Sequence, residues 1–423
     1  MKYAFYSILL PIALVMGFFV QTAQAEPLQS TIRVGILSNQ ENVLISADTK
    51  FEILNGETGQ LLVHLAAGEK ATISVKGKTL SINGKLTKAV KISVLTSKNN
   101  GEHYIEVNKK QYRGNIDIHI THGSAVLTIV NTLPIEQYLY GVIAKEMSPS
   151  WHFEALKAQA VAARTYALYN LNKHQNDDYD VCATTDCQIY DGRESEVTQV
   201  IKAVDNTSGQ VIMAQGKVIP AYFHSSSGGY TENSENVWGT YESYLRGVVD
   251  YDQNSPLYKW EKKLTTNELT AAINKAGYTI GIIKAIELPP LTSKPMNTPE
   301  RGVSGRVKVI QFIGSTGSAQ LTGEQLRKIL GLKSTLFDVS VMVPVEQAVD
   351  FGQSFITDKK EIHRISGRPN EIIVISGFGW GHGLGLSQWG AKAMAEQGPQ
   401  GDSTYFKEIL KHYYQGTTIK KVF

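Results

Sequence analysis

Residues 153–171, "FEALKAQAVAARTYALYNL", constrain the fold of this 423-residue chain more than any other stretch. Alanine is the best helix former and has no bulk beyond Cβ. Six alanines in nineteen residues therefore predict a helix against which another element can pack closely. The stretch before it, "IEQYLYGVIAKEM" (135–147), predicts a second helix, with Pro134 suited to its first turn. Ser148-Pro149 then stops that helix.

Upstream the texture is β. Ile73, Val75, Leu80 and Ile82 alternate with polar residues, as do Ile116, Ile118 and Ile120, and "AVLTIV" (125–130) reads as a buried strand. Asn55-Gly56 and Asn83-Gly84 are hairpin signals. Downstream, Thr265 with Glu268 and Thr322 with Gln325 are capping boxes flanking the strand "GRVKVIQFIG", and 284–304 read as a loop. A strand (371–376), a glycine-rich loop (377–390) and two helices close the chain. Strands and helices mix without a βαβ rhythm, which predicts an α+β fold. The expected organisation is a signal peptide (1–25), a β-rich region (26–110), a core in two parts (111–260 and 344–423) and an α+β unit (261–343) inserted between them.

Lys2, the apolar run from Tyr3 to Val20 and Ala23-Gln24-Ala25 have the layout of a secretory signal peptide. The run is nearly long enough to be an uncleaved anchor, but Pro11 and the A-x-A site favour cleavage. Either way the bulk of the chain is expected outside the cytoplasm. A formal net charge of +3 argues against dedicated nucleic-acid binding. With two cysteines only, the fold rests on its own core.

Three stretches look over-specified for structure alone: "GVIAKEMSPSW" (141–151), "AYFHSSSGGYTENSENVWG" (221–239) and "GFGWGHGLGLSQWGA" (377–391). Each taken singly has a structural reading: a solvated helix end, a turn, a hairpin. Glu146 is the odd residue. It sits where the helix dipole disfavours a carboxylate. "GLSQWG" lacks the spacing of a nucleophile elbow, and the alternating glycines from 377 to 385 match no phosphate-binding loop.

"LPIEQYLYGVIAKEMSPSWHFEALKAQAVAARTYAL" (133–168) resembles the signature of the SpoIID/LytB family of bacterial cell-wall proteins. "CATTDCQIYDG", "YFHSSSGGYTENSENVWG", "YLRGVVDYD" and "GWGHGLGLSQWGA" follow in family order, over about residues 112–418. The resemblance implies one of two activities. One is a lytic transglycosylase that cuts peptidoglycan glycan strands stripped of stem peptides. The other is a non-catalytic module that enhances a cell-wall amidase. It also implies partners among glycan strands, an amidase or sporulation envelope proteins. The family's catalytic glutamate falls on Glu146. Gln159 and Arg164 would orient it or hold sugar hydroxyls. Gln188, Tyr190, His224, Ser226, His382, Ser387 and Gln388 would line a sugar cleft, and Trp238, Trp380 and Trp389 would stack on sugar rings. Should Glu146 not be the acid, Glu232 and Glu235 are next. No cofactor is required by this chemistry. Some family members bind zinc, which would here involve Cys182, Cys187 and His174. Asp186 stands where those members have a second histidine, and two adjacent ligands on one ion look awkward. A Cys182–Cys187 disulfide is the alternative.

Overall fold

In a computed structural model, residues 31–96, 102–296, 298–342, 355–357, 360–366 and 371–423 are described. The expected signal peptide lies outside them. No helix among the described residues is long and apolar enough to cross a membrane.

The alternation upstream of residue 134 produces two sheets. One runs in the order Val181–Cys182, Thr31–Gln40, Leu127–Pro134, Asn115–Ile120, Lys91–Thr96, Phe51–Asn55, Leu61–Leu65. The other runs Lys110–Tyr112, Ile105–Val107, Asn42–Ala47, Ala71–Lys76, Thr79–Ile82, Lys85–Leu86. Ile73, Leu80, Ile116, Ile118 and Ile129 are fully buried. Asn83 and Gly84 both have positive φ, and Ile82 pairs with Lys85 across them, as a two-residue hairpin requires. The first sheet crosses the expected boundary at residue 110. It pairs Val34 and Gly35 in parallel with Val181 and Cys182, so the β-rich region and the core share a sheet.

Helix α1 is Ile135–Glu146 and α2 is Phe153–Tyr169. Fourteen of the seventeen α2 residues are buried, so it is enclosed on all sides rather than amphipathic. Contacts come from α1, from α3 (Thr198–Asn206), from strand Gln210–Ala214 and from two C-terminal helices. Mid-helix Gly141 in α1 has a local cause. A Cβ there would lie 2.7 Å from the Tyr190 ring.

After the short helix α4 (Ser234–Trp238) comes the inserted unit, with α5 (Thr266–Lys275) and α6 (Gly323–Leu330). Both expected capping boxes are formed. A separate apolar core holds Leu269, Ile286, Phe312, Leu326 and Phe337. Two expectations change here. The stretch read as a loop opens with strand Ile283–Leu288, the middle of a sheet. Strand Ile372–Phe378, assigned to the core, is instead the central strand between Lys259–Thr265 and Phe337–Met342 of this unit. The chain returns to the α2 core through α7 (Gln388–Gln397) and α8 (Phe406–Tyr413).

Candidate active site

Glu146 is the last residue of α1. The chain turns extended at Met147, and Ser148-Pro149 carries it toward α2. The Glu146 side chain leans into the protein. Burial raises its pKa, and hydrogen bonds from Gln388 and the Ile189 backbone offset only part of that. Gln388 Nε2 donates to Oε2 at 3.0 Å. Neighbouring Lys145 gives no help to the carboxylate, because it pairs with Asp191 at 2.9 Å.

Gln388 is delivered by a two-residue parallel pairing. Phe223 lies beside Leu386 and His224 beside Ser387, and the Trp389 N–H donates to Ser225 O at 3.1 Å. The "FHSSS" and "GLSQWG" motifs are therefore one structure, facing the end of α1. His224 Nδ1 lies 3.1 Å from Leu384 O, and His382 Nε2 lies 3.0 Å from Phe223 O. The two rings are 5.3 Å apart. Burial, followed by the neighbouring His382 ring and the Arg306 guanidinium, holds His224 well below the usual histidine range. Burial and Arg306 hold His382 down at about 3. Both are neutral clamps between the loop and the strand. Gly381 is required for the clamp, since its φ is +113° and a Cβ would meet His224 Cβ at 2.8 Å.

Several expected site residues are structural instead. Arg164 is fully buried and grips Glu136, at the opposite end of α1 from Glu146, with a closest contact of 2.6 Å. It also donates to the Val204 and Gln210 carbonyls, so its fork ties α2 to α1 and α3. Gln188 links Tyr138 and Ala163 O, and the Tyr190 hydroxyl donates to Asn131 Oδ1 at 2.8 Å. Ser226 donates to Asp252. Ser387 caps α7, accepting from Gly390 N at 3.3 Å, and bonds Asp250. Gln159 differs from these: it is fully buried in α2, and neither its Oε1 nor its Nε2 has a hydrogen-bond partner.

The reserve acids are also committed. Glu232 accepts from the Val303 and Ser304 N–H groups, and Glu235 pairs with Arg246 through both oxygens. Asp252 takes the Gly228 and Gly229 N–H groups, and Asp250 takes Ser227 Oγ and Tyr413 OH. Sequence reasoning missed Ile189, whose backbone reaches Glu146, and Trp151, whose ring meets Trp389 edge-on at 4.7 Å. Their position inside the "CQIYDG" and "SPSW" motifs was the available signal.

Directly before Gln188 lies a loop in which the donor atoms of His174, Cys182, Asp186 and Cys187 are all within 4.8 Å of one another. Both cysteines are free thiols in this structure, with their sulfurs 2.6 Å apart. The hydrogen bond between them lowers the Cys182 pKa to about 5 and raises that of Cys187. Asp186 joins this group despite being adjacent to Cys187, because its side chain folds back to 3.5 Å from His174 Nε2.

A desolvated carboxyl at a helix end, hydrogen-bonded by an amide rather than paired with a cation, is a candidate acid–base group. Residues 124–213 match the stage II sporulation protein family, and residues 231–385 match a domain of unknown function. Stage II sporulation protein D of Bacillus subtilis is 30% identical over 308 residues, covering 69% of this chain and 76% of that protein. An uncharacterized protein of Brachyspira hyodysenteriae is 35% identical over 69% of this chain and 68% of its own length. The amidase enhancer of Bacillus subtilis is 30% identical over 84% of this chain, but the match spans only 50% of that protein. The chain belongs to the stage II sporulation protein D family.

Proposed function

We propose that this protein is an exported peptidoglycan lytic transglycosylase acting on glycan strands, with Glu146 as its only acid and base. The observation that carries this reading is the Glu146 carboxyl, pushed toward its protonated form by burial and touched by an amide rather than a cation. Such a group donates a proton to the glycosidic oxygen as the C1–O bond breaks. The carboxylate left behind then takes the proton of the muramic acid 6-hydroxyl, whose oxygen closes onto C1 as a 1,6-anhydro ring. No water attacks, so the second carboxylate of ordinary glycoside hydrolysis is not needed. Gln388 can follow both states. Its amide N–H stabilises the carboxylate, and its fixed position keeps the acid aimed.

The His174, Cys182, Asp186 and Cys187 donors fit a closed four-ligand zinc site, with Lys173 beside Asp186 at 2.9 Å to balance charge. A metal there would fix the loop that ends in Ile189 and so hold the backbone against Glu146. It has no part in the bond-breaking step.

The rival reading, a non-catalytic modifier of an amidase, draws on the name of the amidase enhancer relative. Purified, peptide-free glycan strands with no amidase present separate the two. Anhydro-muramic ends, one water lighter than hydrolytic ends, are the expected product. Intact strands would overturn the enzymatic reading.

A further inference from the structure

The "YLRGVVDYD" motif carries two buried carboxylates, Asp250 and Asp252, that the bond-breaking step does not use. Asp250 is fully buried, and a charge taken out of water is costly unless donors replace the lost hydration. Here four of them do. Its Oδ1 accepts from Tyr413 OH at 2.7 Å and from Tyr251 N at 2.9 Å, and its Oδ2 accepts from Ser227 Oγ at 2.5 Å. Ser387 adds the fourth hydrogen bond. Burial, and then the charge of Asp252, push the Asp250 pKa up, and the three hydroxyls offset part of that. Those hydroxyls stand on three different segments: Ser227 in the "FHSSS" stretch, Ser387 at the N-cap of α7, and Tyr413 at the end of α8.

The carboxylate lies against the first turn of α7. A Cβ on Gly390 would run into Asp250 Oδ1 and Tyr413 OH, so glycine is what lets the turn sit there. An anion also suits this place, because a helix is partly positive at its N-terminus. Ser387 is the cap of α7 and Gln388 its first residue, and Gln388 Nε2 reaches Glu146 at 3.0 Å. The pairing of Ser387 with His224 and the bond from Trp389 N to Ser225 O hold the backbone on either side of Gln388. We infer that Asp250 is a positioning residue for the proposed acid: through Ser387 and Tyr413 it locks the first turn of α7, so that the Gln388 amide stays aimed at Glu146. Asp250 acts at a distance, since the groups that reach the Glu146 carboxyl are Gln388 and the Ile189 backbone. A hydrogen bond weakens steeply once its geometry is lost, which makes this anchoring matter. Asp252 holds the adjacent turn instead, accepting from Ser226 Oγ, Gly228 N and Gly229 N.

The inference rests on the reading of Glu146 as the acid, so its test is a titration that needs no substrate. Carbon-13 NMR of carboxyl-labelled glutamate follows Glu146, identified by the signal missing from Glu146→Gln. Deleting a buried negative charge lowers the pKa of another acid through space, whereas losing the Gln388 hydrogen bond raises it. The sign therefore separates the two effects. Asp250→Ala is expected to move the Glu146 titration to higher pH, toward that of Gln388→Leu. Ser387→Ala cuts the link but leaves Asp250 its other donors. It is expected to act in the same direction, and it carries the test if Asp250→Ala does not fold. Asp250→Asn keeps an oxygen for Tyr413 and Tyr251 N and offers an amide to Ser227 Oγ, so it should titrate with the parent. Combining either alanine variant with Gln388→Leu should give no rise beyond Gln388→Leu alone, because both act through one contact. A titration unmoved or lowered in either folded alanine variant would overturn the positioning role. So would a further rise in the double variant, or Asp250→Asn behaving like Asp250→Ala. If the titration moves as expected while the unsubstituted protein leaves peptide-free strands intact, positioning stands and the transglycosylase falls. Cleaved strands with an unmoved titration do the reverse.

Discussion

Replacing Glu146 by Gln tests the chemistry and the burial argument together. The amide keeps the shape, and its oxygen can still accept from Gln388 Nε2 across the 3.0 Å contact. It cannot donate an acidic proton. General acid catalysis is worth about 10²- to 10⁴-fold, or roughly 3–5.5 kcal/mol of barrier. Here one group serves as acid and then base, so the loss is expected at the upper end. Stability should move the other way. Burial raises the Glu146 pKa in the folded state, so its proton stabilises the fold fully below the ordinary carboxylate range. That contribution is lost as pH rises through the folded-state value. The variant, which never ionises, should therefore melt at or above the parent temperature at neutral pH. The two should converge in acid. Strand cleavage followed by mass analysis of the ends, with thermal melts from acid to neutral pH, reads both effects. Undiminished cleavage, or a variant less stable than the parent only at neutral pH, would refute the reasoning.

Gln388→Leu removes a hydrogen bond to a charged group, worth about 1.5–3 kcal/mol. It disfavours the Glu146 carboxylate, so the alkaline limb of the rate–pH profile should move to higher pH, with folding retained. Arg164→Met should cost about 1.5–3 kcal/mol of stability, because it removes the charged hydrogen bonds to Glu136, which keeps only Gly209 N and Ser208 Oγ. In urea titrations this should appear as a lower midpoint, while any correctly folded fraction keeps its activity per molecule. Metal analysis of protein purified without chelator should approach one zinc per chain, and Cys182→Ser should lower both that content and the melting temperature. A metal-free parent with unchanged melting would remove the zinc reading.

Local rules carried much of this fold. Alternation placed the Ile73 and Ile116 strands, Asn83-Gly84 placed a hairpin, and Thr265/Glu268 and Thr322/Gln325 placed two helix starts. Each depends on residues within a few positions of one another. The motif order also marked Glu146, and its odd place at a helix end was visible as a local conflict with the dipole.

What the sequence by itself determined was most of the elements and the choice of Glu146 as the candidate acid. Partners across the chain were decided only by the tertiary structure. Arg164 looked like a companion of Glu146, yet it grips Glu136, because that carboxylate and the Val204 and Gln210 carbonyls surround its buried fork. Gln388 looked like one polar residue among many, and a two-residue pairing between strands 163 positions apart sets it on Glu146. Asp186 looked an awkward ligand beside Cys187, but the turn of the loop aims its oxygen at His174. Side-chain direction depends on which distant elements pack together, and no window of the sequence contains that information.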